Sequence, residues 1–210
     1  MSLPCFALLD DSYRHGDASA RTDEPRSRLY TGYHATLHCD DANGMADMLA
    51  DMQAAQQQGL HAVALFSYEM GGGLHGIEAH AGRPGPLAEI LLFTDCRRLN
   101  AAQTNEWLQQ QQDAIPAEAG VANVRASVDE QRFKADIARI RDYIAAGDTY
   151  QVNYTYRLHF DAWGEPLSLY NKLRARQPVP YGALIHLPDE RWVLSFSPEL
   201  FVRHTQGKLL

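Results

Sequence analysis

The sequence predicts an α+β protein, and three stretches carry that expectation. Phe133, Ile137, Ile140 and Ile144 step by four, three and four residues, which places them on one side of a helix. Tyr150 to Phe160 alternates with the period of a strand: Tyr150, Val152, Tyr154, Tyr156, Leu158 and Phe160 face one way, and Gln151, Asn153, Thr155, Arg157 and His159 the other. Tyr181–Leu187 and Arg191–Phe196 flank Pro188-Asp189-Glu190, the pattern of a hairpin with a Pro-Asp turn.

Each element has local support. The helix has a capping box at Ser127-Val-Asp-Glu130 and a stop at Gly147, and burial of its apolar stripe is expected to anchor it. The polar side of 150–160 is either a solvated surface or the wall of a polar cleft, and composition favours the solvated surface. A second helix is expected over Pro166–Arg176, with Leu167, Tyr170 and Leu173 inward. After the hairpin, Glu199–His204 reads as strand and Gln206-Gly207 as a turn into Lys208-Leu209-Leu210.

The first half reads similarly. Cys5–Leu9 is a strand candidate, Asp10–Arg26 a long polar loop, and Arg28–His38 a second strand. Met45, Met48, Leu49, Met52 and Ala55 recur at helical spacing within Asp41–Gln58, and their expected role is core filling. Leu60–Ser67 reads as a buried strand and Ala88–Thr94 as another. Gly71-Gly72-Gly73 lacks the Lys and Ser/Thr of a phosphate loop and the spacing of a dinucleotide fingerprint, so it is read as a flexible turn. An Ala/Gln/Glu-rich segment from Asn100 to Gly120 ends in a compositional shift, which sets an expected division into domains 1–125 and 126–210.

Composition narrows the function classes. Among 210 residues, 45% are hydrophobic and 21% charged, an ordinary globular balance. A formal net charge of -7 with scattered Lys and Arg argues against nucleic-acid binding. The N-terminal apolar run lacks a basic n-region and ends in Asp10-Asp11, so neither a signal peptide nor a membrane segment is expected. Cys5, Cys39 and Cys96 are widely spaced and odd in number, which fits a cytoplasmic protein. No HExxH, CxxC, G-x-S-x-G or EF-hand pattern is present. On local grounds, Glu199 after Ser197-Pro198 is an exposed loop carboxylate.

A longer pattern goes further. Phe133, Ile140-Arg-Asp-Tyr-Ile144, Gly147-Asp148, Tyr150-Gln-Val-Asn153, Arg157-Leu158, Leu169-Tyr170, Leu173-Arg174, Gln177-Pro-Val-Pro-Tyr181 and Leu194-Ser-Phe-Ser-Pro-Glu-Leu-Phe201 follow one another in order. Together they resemble the chorismate-utilising enzymes, a family that includes anthranilate synthase component I and aminodeoxychorismate synthase component I. Ala7-Leu-Leu-Asp-Asp11, Ser27-Arg-Leu29 and Phe66-Ser-Tyr-Glu69 resemble its first-domain landmarks. Tyr150-Gln-Val-Asn153 is more similar to the aminodeoxychorismate branch, since anthranilate synthases more often carry Phe-Gln-Val-Val.

The resemblance implies an anthranilate-synthase-like antiparallel β-sandwich flanked by helices, here truncated. It implies amination of chorismate at C4 with ammonia from a glutamine amidotransferase, for p-aminobenzoate and folate synthesis. It also implies Mg2+ holding the substrate carboxylate, with metal ligands beyond residue 210. Glu199 falls on a family catalytic carboxylate, whose expected role is acid–base work at the departing hydroxyl. Asp11, Arg26, Ser27, Arg28, Leu29, Pro180, Tyr181 and Gly182 fall on a tryptophan-type pocket. Asp11 replaces the family's frequent Ser, and a carboxylate beside the ligand's own carboxylate argues against tryptophan. The family's Pro-Ile-Lys/Ala-Gly-Thr motif has no counterpart in these 210 residues, so the piece alone is expected to be inactive. C2 amination by an anthranilate synthase component I and a non-catalytic ligand-binding or docking module are the alternatives.

Overall fold

In a computed structural model describing residues 3–12, 24–77 and 85–209, the apolar runs of the first half become strands β1 (Phe6–Asp10), β2 (Ser27–Cys39), β3 (His61–Phe66) and β4 (Ala88–Leu99). The C-terminal hairpin supplies β7 (Tyr181–His186) and β8 (Trp192–Ser197). All six form one antiparallel sheet in the order β3-β4-β2-β1-β7-β8. The protein is α+β, as the periodicities predict, and its main sheet is antiparallel.

Both sides of this sheet are covered, by different means. On one, Ala7, Tyr30, Val63, Leu91, Phe93, Ile185 and Leu187 pack together. All come from strands or the end of β7, so the sheet curls to bury its own face. The curl also brings Glu89 on β4 to Arg191 in the β7–β8 turn, where two hydrogen bonds of 2.7 and 3.0 Å join them. On the other side, Ile90 and Leu92 pack with Met48 and Ala55 of helix α1 (Met45–Gln57) and Met70 of α2 (Tyr68–Leu74). Met45, Leu49 and Met52 complete that cluster, so the methionines fill a core as expected.

Several local expectations change. The triple glycine lies in helix α2 instead of a flexible turn, and a Cβ on Gly73 would sit 2.7 Å from the Ala42 methyl, so close packing requires the glycine. β3 is a sheet-edge strand in which Val63 alone is buried. The segment after Asn100 forms helix α3 (Ala101–Gln112), with Asn100 and Gln103 exchanging side-chain and backbone hydrogen bonds of 2.9 Å at its start. Strand β5 (Ala119–Ala126) occupies the expected boundary.

The chain packs as two units, residues 1–111 with 170–210 and residues 112–169. The division is discontinuous where a linear one near 125 was expected, because β7 returns to pair with β1. In the second unit, β5 pairs antiparallel with β6 (Leu158–Gly164) beside helix α4 (Glu130–Ala146). Gly147 ends α4 in the left-handed region, as expected, but Asp129 caps its start, accepting from the Arg132 N–H at 2.7 Å. Ser127 instead closes the β5–β6 ladder: its N–H donates to the Arg157 carbonyl and its Oγ accepts from the Arg157 N–H.

The strand expected over 150–160 shrinks to its last three residues, Leu158–Phe160, at the start of β6. β5 ends at Ala126, opposite Leu158, and residues 151–157 form no ladder. The apolar stripe of α4 is only partly covered: Ile137 and Ile140 are half-buried, no residue of α4 is fully buried, and Phe133 and Ile144 are 38% and 42% exposed. Helix α5 (Pro166–Arg176) forms as expected with Leu167 and Tyr170 buried, but Leu173 is exposed. Glu199–Arg203 lies outside any strand, and β9 (His204–Thr205) pairs only with β10 (Lys208–Leu209).

Candidate functional site

Three neighbouring strands place the expected pocket residues. Asp11 follows β1, Arg26 precedes β2, and Pro180 precedes β7, so Asp11, Arg26–Leu29 and Pro180–Gly182 come from adjoining segments of the first unit. The Asp11 N–H donates to Ser27 Oγ at 3.1 Å, and Arg26 lies 3.8 Å from the Asp11 carboxylate while also binding Glu24 at 2.9 Å. Ser12 ties this edge to the segment before β7, exchanging hydrogen bonds of 3.0 Å with Val179. Gly182 is the register partner of Asp10.

Strand alternation separates Arg28 from the rest. Ser27 and Leu29 are buried on one side of β2, whereas Arg28 leaves on the other and is exposed. One pocket therefore cannot take the side chains of Arg28, Ser27 and Leu29 together.

The centre of the region is Asp10, which belongs to the Ala7–Asp11 landmark but not to the expected pocket. Asp10 is 2% exposed, and its carboxylate accepts from Tyr170 Oη at 2.7 Å and from Arg174 Nε and Nη2 at 2.5 and 3.2 Å. The Ser27 hydroxyl lies 3.5 Å away, and the remaining arm of Arg174 donates to Asn105 Oδ1 at 2.8 Å. Burial, reinforced by the negative charge of Asp10, pushes the Tyr170 hydroxyl far above its usual pKa. Burial works against the Arg174 cation, yet its hydrogen bonds and charge pairing with Asp10 raise its pKa. With its fork filled, Arg174 is a structural cation joining β1, α3 and α5. The sequence held a signal for this cluster: Asp10 shares the period-two side of Phe6 and Leu8, and Arg174 stands one helical turn after Tyr170.

Glu199 lies in the segment after β8, where the Ser197 hydroxyl donates to its carbonyl at 3.0 Å. Its carboxylate is exposed. In the second unit the Gln151 amide donates to Asn153 Oδ1 at 3.1 Å, and both side chains are exposed. Tyr154 and Arg132 both donate to Asp136 at 2.9 Å; these hydrogen bonds, led by that from Arg132, hold its carboxyl below the ordinary range. Among the described residues no group of three or more His, Cys, Asp and Glu side chains is placed to hold a metal ion. No helix among them is long and apolar enough to cross a membrane.

Comparison with known proteins adds the family. Anthranilate synthase component 1 of Streptomyces coelicolor is 39% identical over 90 residues, 43% of this chain and 18% of that protein. A 2-amino-4-deoxychorismate synthase of Streptomyces globisporus is 33% identical over 103 residues, 49% of this chain and 20% of the relative. Aminodeoxychorismate synthase component 1 of Bacillus subtilis is 38% identical over 81 residues, 39% of this chain and 17% of its own length. The matched stretches thus span about a fifth of these relatives. The family of chorismate binding enzymes matches residues 17–210, nearly the whole sequence. The ordered motifs from Phe133 to Phe201, the antiparallel α+β fold and this match agree: the chain belongs to the chorismate binding enzyme family.

Proposed function

We propose that this chain is part of the synthase component of an aminodeoxychorismate synthase, aminating chorismate at C4. The observation that carries the reading is the family match over residues 17–210 joined to Tyr150-Gln-Val-Asn153. An aminodeoxychorismate synthase component 1 among the relatives supports it. Ammonia would come from a glutamine amidotransferase, and the product would feed p-aminobenzoate and folate synthesis in the cytoplasm. Glu199 supplies acid–base chemistry in this reading: its carboxyl gives a proton to the C4 hydroxyl, which then leaves as water, and such a role typically contributes about 10²–10⁴-fold. The exposed carboxylate is free to meet a substrate. The described residues do not fit a Mg2+ site, so no step is routed through the metal.

The test is amination of chorismate with ammonium, using the 210-residue chain and a version extended along its gene to the length of the relatives. We expect 4-amino-4-deoxychorismate from the extended protein only, and loss of most turnover in its Glu199→Gln variant with the fold retained. Anthranilate as the product would replace this reading with the C2 reaction, which the anthranilate synthase relatives favour. Unchanged turnover in Glu199→Gln would remove that residue from the mechanism, and turnover by the 210-residue chain would overturn its expected inactivity.

A further inference from the structure

Arg28 on β2 and Arg98 on β4 are register partners, so two cationic side chains leave the sheet next to each other on the same side. Both are exposed. Their treatment differs from that of the other arginines around this sheet. Arg26, Arg97, Arg174 and Arg191 each meet a carboxylate, at 2.9, 3.9, 2.5 and 2.7 Å. Neither Arg28 nor Arg98 has an Asp or Glu within ion-pairing distance among the described residues. Like charges directly opposite one another destabilise an antiparallel pair. In a chain whose formal net charge is -7, the lack of counter-charge here is local.

Arg28 also walls an open cavity of about 410 Å³, shared with Tyr30, Gln56 and His61. That volume lies in the range of small-molecule sites. Among the described residues no acidic side chain lines it. Tyr30 is buried, and its ring meets His61 edge-on at 6.3 Å. The Gln56 amide is a further donor, so charge and hydrogen-bonding capacity at this wall both suit an oxyanion.

We propose that this cavity takes a small organic anion, whose carboxylate or phosphate lies against Arg28, on the side of its register partner Arg98, and whose body rests against His61 and Gln56. The site lies apart from Ser27 and Leu29, because Arg28 leaves β2 on the opposite side, and it does not depend on the chorismate chemistry proposed above.

The experiment is titration calorimetry of the 210-residue chain in low-salt Tris chloride, with 4-hydroxybenzoate as the carboxylate probe and phenyl phosphate as the phosphate probe. We expect saturable binding of at least one, weakened tenfold or more by Arg28→Gln and by Arg98→Gln and unchanged by Arg125→Gln on β5. The probe that binds identifies the headgroup. Amide chemical-shift mapping of the unaltered chain is expected to move Arg28, Gln56 and His61, which tests the location without a variant. Without either probe, Arg98→Gln is expected to raise the thermal midpoint by relieving the repulsion. Failure of both probes to saturate, affinity in both variants equal to that of the unaltered chain, or shifts confined to other strands overturns the proposal.

Discussion

The two units of this chain use similar sequence patterns with opposite outcomes. In the unit formed by 1–111 and 170–210, strands place Leu8, Leu29, Leu91 and Phe93 at 0% exposure, because a curled sheet and its helices close over them. In 112–169, the Phe133–Ile144 stripe and the row from Tyr150 to Phe160 are as regular in sequence, yet Phe133 is 38% and Tyr150 92% exposed. Amphipathic periodicity specifies which side of an element is apolar; it does not supply the surface that covers it. The second unit is a two-stranded ribbon beside one helix, too little structure to cover both.

Polar groups follow the same contrast. The Asp10 carboxylate is buried and bound by Tyr170 and Arg174, whereas Asp136, bound by Tyr154 and Arg132, lies in the second unit against a highly exposed Arg132. Breaking a buried pair leaves an uncompensated charge at a cost of about 3–5 kcal/mol, while water and salt screen an exposed pair. Asp10→Ala is therefore expected to be the most damaging change and Asp136→Ala to be nearly silent. Urea denaturation followed by far-ultraviolet circular dichroism, which reports both units, checks this. Equal losses from the two changes would erase the contrast.

Apolar truncations sharpen it next. Leu91→Ala is expected to cost about 2–5 kcal/mol, since it empties space inside the curled sheet. Ile144→Ala on α4 is expected to cost less, about 1 kcal/mol, because that side chain stays 42% exposed in the folded chain. The Glu89–Arg191 pair is intermediate, with a buried carboxylate and a half-exposed guanidinium. Glu89→Gln is expected to cost roughly 1–3 kcal/mol, from loss of a charged double hydrogen bond. A change in its denaturation midpoint smaller than that of Asp136→Ala would mean the curl does not need this pair.

The smallest effect is a pH dependence. Burial, with a contribution from Asp189, pushes the Cys5 thiol from 9.0 to about 11. A raised acid pKa means the folded chain keeps a proton that the unfolded chain releases, so the stabilising contribution is complete below pH 9.0 and is lost as pH rises towards about 11. The denaturation midpoint is expected to fall across that window and to fall less in Cys5→Ala. An identical pH profile in the two proteins would show that the thiol is not shielded.

Much of this was legible from local residues. Hydrophobic period marked β1, β2, α1, α4, α5 and the β7–β8 hairpin, and Pro188-Asp189 marked its turn, because these features depend on neighbours a few residues apart. Likewise, the order of motifs from Phe133 to Phe201 was enough to indicate the family later matched over 17–210. Tertiary structure decided what local pattern leaves open. Whether 150–157 becomes strand depends on a partner reaching it, and β5 stops opposite Leu158. Whether Asp11, Ser27 and Gly182 come together depends on β7 returning to β1 across more than half the chain, and strand alternation then turns Arg28 away from them. Ladder bonds and buried charge pairs join residues far apart in sequence, so no stretch read by itself contains both members of the interaction.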